Sequence, residues 1–147
     1  MSFAEEDLDE LGPIDYIIVE WPDRQPNGEV APHLVDLVER GLIRILDFAL
    51  LVKDEEGVTA AIEIEDLDGP AERLRVFEGA ASGMLDGDDL AEAANALEPG
   101  TSAALLVYEN VWAAPFASAV RRSGGQLVAS GRIPVQDVIA ALDALED

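Results

Sequence analysis

The sequence contains no cysteine among its 147 residues. Disulfides, thiolate nucleophiles, iron–sulfur clusters and cysteine-ligated zinc are therefore excluded. Histidine and lysine are nearly absent too, with His33 and Lys53 the only ones. No apolar run approaches the roughly 20 residues of a membrane-spanning helix. We therefore expect a soluble protein without stable membrane insertion.

Basic residues are also few, nine against 31 acidic ones, which gives a formal net charge of -22. A surface this negative repels the phosphates of nucleic acids and of anionic lipids, so no nucleic-acid partner is expected. The start, MSFAEEDLDELGP, is acidic where a signal peptide is basic and then apolar, which predicts a cytoplasmic location. The same charge opposes self-association unless acids stay off the contact surface or salt screens them.

What the sequence has in quantity is apolar residues, 49% of the chain, enough for one domain with a two-layer core. Residues 1–12 read as an acidic N-terminal arm and residues 13–147 as a single α+β domain. Apolar patterns and turn residues predict strands at 14–21, 42–52, 58–64, 101–108 and 126–132. They predict helices at 29–40, from Asp88 or Asp89 to 97, at 112–123, and at the C-terminus. The second and third strands should pair as a hairpin, and residues 65–85 stay unassigned.

A short internal repeat organises these elements. Gly41 follows Ala31-Pro32 by nine residues and Gly124 follows Ala114-Pro115 by the same distance, each leading into an apolar stretch. Two βαβ-like units are implied, at about 14–52 and 101–132, with chance similarity as the alternative. The predicted fold is a ferredoxin-like split βαβ sandwich, a mainly antiparallel sheet with helices on one face and an extra C-terminal helix.

One candidate ligand pocket follows from this repeat, because the first strand of each unit ends in acidic and aromatic residues. Its predicted lining is Trp21, Tyr108, Glu109 and Trp112. His33 shares a polar helix face with charged residues and is predicted to be a surface histidine. The acid clusters at 63–68 and 86–89 read as solvated turns, so no metal site, catalytic residue or cofactor is assigned.

The C-terminal helix carries an apolar stripe that should be buried on a sheet or on a partner. We take it as a candidate homo-oligomer contact. Its members are Val135, Val138, Ile139, Leu142 and Leu145.

Several stretches resemble a known family both in their sequences and in the order in which they occur. They are GPIDYIIVEWP, GLIRILDFALLVKDE, FEGAASGML and LEPGTSAALLVYENVWAAPFASAVRRSGGQLVASGRIP, and over about residues 12–145 they resemble an actinobacterial family, domain of unknown function 6325. LEPGTSAALLVYE is more distantly similar to domain-of-unknown-function family 1269, whose apolar hairpin looks membrane-associated; here residues 67–85 are short and acidic instead. The resemblance implies a ferredoxin-like fold and a cytoplasmic bacterial protein associated with stress, and it brings no catalytic residue.

Two hypotheses about function follow. The first is a non-enzymatic domain that self-associates or binds a protein partner. The alternative is a domain that binds a small ligand or a divalent cation, or a cofactor-free enzyme of the α+β-barrel type.

Overall fold

The computed structural model describes residues 10–22, 30–62 and 85–146. Apart from the strand expected at 126–132, the predicted elements form with small changes of boundary, and a 3-10 turn at Val111–Ala113 joins β4 (Thr101–Asn110) to the helix after it. In chain order the elements are β1 (Ile14–Trp21), α1 (Val30–Glu39), β2 (Ile43–Lys53), β3 (Thr59–Ile62), α2 (Gly87–Ala96), β4 (Thr101–Asn110), α3 (Ala114–Arg122) and α4 (Val135–Leu145).

The four strands of the described residues form one open sheet in the order β1-β4-β2-β3, and every neighbouring pair is antiparallel. β1 and β2 therefore run parallel with β4 between them, which makes β1, α1 and β2 a split βαβ unit. The predicted hairpin is confirmed by the β2–β3 pairing, which starts at Lys53 opposite Thr59. The α+β class is confirmed, and the arrangement is consistent with a ferredoxin-like α+β sandwich.

The placement of the helices differs from the expected single helical face. On β4, Ala104, Leu106 and Tyr108 pack in the cluster that α1 covers. The intervening residues Ala103 and Leu105 pack in the cluster that α2 covers. Because alternate residues of a strand point to opposite faces, α1 and α2 lie on opposite faces of the sheet.

A bulge in β2 sets which of its residues face α1. The register against β4 shifts between Ile45 and Asp47, and the extra residue Leu46 is only 1% exposed. The Asp47 carboxylate accepts the N–H of Phe48 at 2.9 Å and that of Leu85 at 3.0 Å. Ile45 and Phe48 consequently lie in the same cluster, although strict alternation would place them on opposite faces.

The N-cap of α2 is Asp86 rather than Asp88 or Asp89, the residues expected to cap it. The Asp86 carboxylate accepts the N–H of Asp89, and the Asp89 carboxylate accepts the N–H of Asp86. This reciprocal capping box satisfies two donors and orders the first turn.

Lys53 stabilises the other end of α2. Its Nζ donates to the carbonyl oxygens of Ala94 at 2.9 Å and Leu97 at 3.0 Å. The Ala94 carbonyl also accepts the N–H of the C-cap residue Leu97 at 3.3 Å. A cation at this end opposes the negative end of the helix dipole. The ammonium thus ties α2 to the end of β2.

The strand predicted at 126–132 does not form. Residues 125–134 have no regular secondary structure, and every residue from 121 to 146 is exposed. A β-prone segment becomes a strand only beside another strand, and none of the described strands pairs with it. The second βαβ-like unit therefore ends, among the described residues, after α3.

Candidate functional site

The structure does not bring the four predicted pocket residues together. Trp21 lies opposite Ser102, at the start of β4, whereas Tyr108 lies opposite Asp15, near the start of β1. Six residues of extended chain separate Ser102 from Tyr108, about 20 Å. The prediction assumed that the C-terminal ends of β1 and β4 lie side by side. Because the two strands are antiparallel, the C-terminal end of each lies beside the N-terminal end of the other.

Tyr108 and Glu109 also point to opposite faces. Tyr108 packs against the cluster under α1. Glu109, 4% exposed, forms an ion pair with Arg44 at 2.6 Å and accepts the backbone N–H of Gly12 at 2.8 Å. Its carboxylate joins β2, β4 and the segment before β1, so its contacts are those of a structural anchor.

Trp112 lies outside the core, with 66% of its surface exposed. Its indole Nε1 donates to the Asn110 side-chain oxygen at 3.3 Å. Phe116, one helical turn further on, is 75% exposed. These two aromatic residues form a small exposed patch at the start of α3.

The most exposed apolar surface belongs to residues 125–146, which we call the C-terminal arm. It comprises the irregular segment 125–134 and α4, and none of the α4 residues is buried. The five residues of the predicted stripe are between 42% and 82% exposed. We use the name α4 stripe for Val135, Val138, Ile139, Leu142 and Leu145.

A second apolar surface lies on the α2 face of the sheet. It is a cavity of about 450 Å³ between β1, β4 and α2, which we call the β1 groove. Tyr16 and Ile18 of edge strand β1 line it beside Leu105 and Val107 of β4. The α2 residues Asp89 and Glu92 add two carboxylates to this lining.

His33 and the acidic clusters were the residues considered for histidine or metal chemistry. His33 is exposed on α1, as predicted. Within 10–22, 30–62 and 85–146, no three acidic or histidine side chains are grouped as they would be around a metal ion. The cluster predicted at 63–68 lies outside the described residues. Over the same ranges, no helix has the length and apolar character to span a membrane.

Comparison with known proteins identifies the family. The model of the family described as "Family of unknown function (DUF6325)" matches residues 10–146. The chain belongs to this family. No curated protein and no solved structure matches it.

In this DUF6325 chain, sequence reasoning found the α4 stripe and missed the β1 groove. A signal was present, because Ile14, Tyr16 and Ile18 alternate along β1 and so share one face. Ile17 and Val19, on the other face of β1, are also apolar. A strand that is apolar on both faces is expected to be buried on both. Among the described strands β1 instead lies at an edge of the sheet, and its Ile14, Tyr16 and Ile18 are 40%, 74% and 44% exposed.

Proposed function

We propose that the protein is a non-enzymatic domain that self-associates through the α4 stripe. The observation that carries this proposal is the exposure of all five stripe residues on one ordered helix. Contiguous exposed apolar surface of this kind is typical of an interaction site. Single exposed apolar residues are ordinary on protein surfaces, whereas an entire helix face is not.

The magnitudes favour a dimer with two-fold symmetry. Burying a partly exposed Val, Leu or Ile side chain contributes roughly 1–2 kcal/mol, so one stripe contributes roughly 5–10 kcal/mol. The loss of translational and rotational freedom on association costs about 4–15 kcal/mol. One stripe is therefore marginal. A two-fold dimer buries two stripes, whereas the cost in translational and rotational freedom is incurred only once.

The distribution of charge supports the same surface. Although the chain carries a net charge of -22, the stripe itself includes no acid. The α4 acids Asp137 and Asp143 lie about 140° and 100° around the helix from Leu142, because successive helical residues are separated by about 100°. Burying the stripe thus places no carboxylate of α4 itself at the centre of the contact.

The test is the mass of the full-length protein, measured by native mass spectrometry and by sedimentation at low and high salt. We expect a dimer for the wild type and a monomer for Leu142→Asp, since a carboxylate in a buried apolar contact is unpaired. The matched control is Ala140→Asp, which adds the same charge to the opposite side of α4 and should remain dimeric. A wild type that stays monomeric at high concentration and high salt would overturn the proposal.

The β1 groove supports a second candidate function, binding of a small apolar molecule that carries a positive charge. Its volume of about 450 Å³ lies within the roughly 300–1,000 Å³ of ligand pockets. Asp89 and Glu92 would attract the cation. Calorimetry with octylamine and with 1-octanol tests this candidate, because the two probes share a chain and differ in charge. Saturable binding of the amine alone favours it, and equal or undetectable binding of both argues against it.

A further inference from the structure

We infer that α4 of one copy docks in the β1 groove of a second copy, beside α2, and that the exchange is reciprocal. This inference rests on the proposed self-association and adds the surface that receives the stripe.

Counting only residues 10–22, 30–62 and 85–146, the α2 face of the sheet has room for one more helix. Neighbouring strands lie about 4.8 Å apart, so four strands span the width of about two helices packed 8–10 Å apart. α2 covers the side built from Ala49, Leu51 and Ala103. On the side formed by β1, the residues that point to the α2 face remain exposed. They are Ile14, Tyr16 and Ile18.

The dimensions of α4 suit this space. Its 11 residues give a helix about 16 Å long, since each residue adds about 1.5 Å. The eight residues of β1 extend over about 26 Å. The whole stripe, from Val135 to Leu145, therefore fits along the edge strand and contacts the apolar floor of the groove.

The exposure of the C-terminal arm indicates that the occupant is a second copy. Residues 125–134 connect α3 to α4 and can extend about 33 Å. The exposure of every α4 residue shows that α4 is not packed on its own sheet. Each copy thus offers one stripe and one groove, and two copies satisfy both in a closed two-fold exchange.

The test is a disulfide introduced into a chain that has no cysteine of its own. Tyr16→Cys and Leu142→Cys are combined in one full-length chain, which is oxidised mildly and mapped by peptide mass spectrometry. We expect a covalent dimer in which position 16 of one copy is linked to position 142 of the other. A monomer with the same link closed within one chain overturns the assignment to a second copy.

The matched control combines Phe116→Cys with Leu142→Cys. Phe116 is 75% exposed and Tyr16 is 74% exposed, so accessibility does not bias the comparison. We expect at least a tenfold lower yield of the 116–142 link. If that link is as abundant as the 16–142 link, the exposed patch of Trp112 and Phe116, or random collision, explains the cross-linking, and the groove is the wrong surface.

Sedimentation of the uncross-linked protein distinguishes failure of the groove as the receiving surface from failure of self-association. If the wild type dimerises but the double-cysteine variant does not form the 16–142 link, self-association stands and the groove is overturned as its receptor. A wild type that never dimerises overturns both.

Discussion

Arg44 and Glu109 lie directly opposite each other on β2 and β4 and form an ion pair of 2.6 Å. The Glu109 side chain is 5% exposed and that of Arg44 is 39% exposed, so the carboxylate is buried while the guanidinium keeps contact with water. Since Glu109 also accepts the Gly12 N–H, one buried carboxylate joins two strands and the segment that precedes β1.

Replacing Glu109 by Gln should destabilise the fold. The variant keeps an acceptor for Gly12 but removes the charge that Arg44 faces, and breaking a buried pair costs about 3–5 kcal/mol. Because Arg44 can recover hydration, we expect the free energy of unfolding to fall by about 2–3 kcal/mol. Urea denaturation measures it. The exposed pair Asp36–Arg40, 3.5 Å long, supplies the control, since Asp36→Asn should cost less than about 0.5 kcal/mol. Equal losses for the two variants would contradict the anchor role of Glu109.

Lys53→Met should weaken the end of α2. The change keeps most of the aliphatic chain and removes the ammonium that binds the carbonyls of Ala94 and Leu97. A hydrogen bond from a charged donor contributes about 1.5–3 kcal/mol, and the partial exposure of Lys53 places the expected loss near 1.5 kcal/mol. Faster amide hydrogen exchange in the last turn of α2 should accompany it. Arg122→Met, at the exposed end of α3, is the control, with an expected loss of about 0.5 kcal/mol.

Alanine should have opposite effects at two glycines. A Cβ at Gly12 would overlap the backbone carbonyl of Asn110 and crowd the Ala114 nitrogen, whereas a Cβ at Gly87 would meet nothing within 4 Å. Gly12→Ala should cost about 1–3 kcal/mol through this overpacking. Gly87→Ala, in the first turn of α2, should stabilise by about 0.4–1 kcal/mol by restricting the unfolded chain. Thermal unfolding midpoints should therefore move in opposite directions, and a shared direction would contradict the geometry at Gly12.

Salt should strengthen self-association. Each copy carries a net charge of -22, so two copies repel until the solution screens them. The Debye length falls from about 10 Å at 0.1 M to about 3 Å at 1 M ionic strength, and we expect the dissociation constant to fall by about tenfold or more across that range. Sedimentation equilibrium in potassium chloride measures it. Dissociation by added salt would mean that attractive charges, rather than apolar side chains, hold the copies together.

The elements that sequence reasoning placed well are those with strong local signals. β1, α1 and β2 follow from an apolar run, a helical period beginning near Pro32, and a stop at Gly41. The cap of α2 was placed at Asp88 or Asp89, although the capping box begins at Asp86, because three aspartates lie within four residues. Local signals failed where the partner is distant. The strand at 126–132 was predicted from β propensity, and it lacks a described neighbour to pair with.

The candidate site divides in the same way. The α4 stripe was recognised because the helical period of its apolar residues lies within a single segment of sequence. Whether that stripe is buried depends on the rest of the fold, and the structure leaves it exposed. The β1 groove was missed since it joins β1, β4 and α2 across about 90 residues of sequence. The predicted pocket failed because it assumed a relative strand direction that only the sheet specifies.

The sequence by itself determined that cysteine chemistry is excluded, that the net charge is strongly negative, and which apolar periods define most helices and strands. These properties depend on residue type or on neighbours a few positions away in the sequence, so they can be predicted without knowledge of the fold. The tertiary structure decided the direction of β4 against β1, the bulge that turns Phe48 toward α1, the capping of α2 by Lys53, and the exposure of the α4 stripe. Each of these depends on pairings between distant segments, whose energies are set by packing and hydrogen bonding across the sheet rather than along the chain.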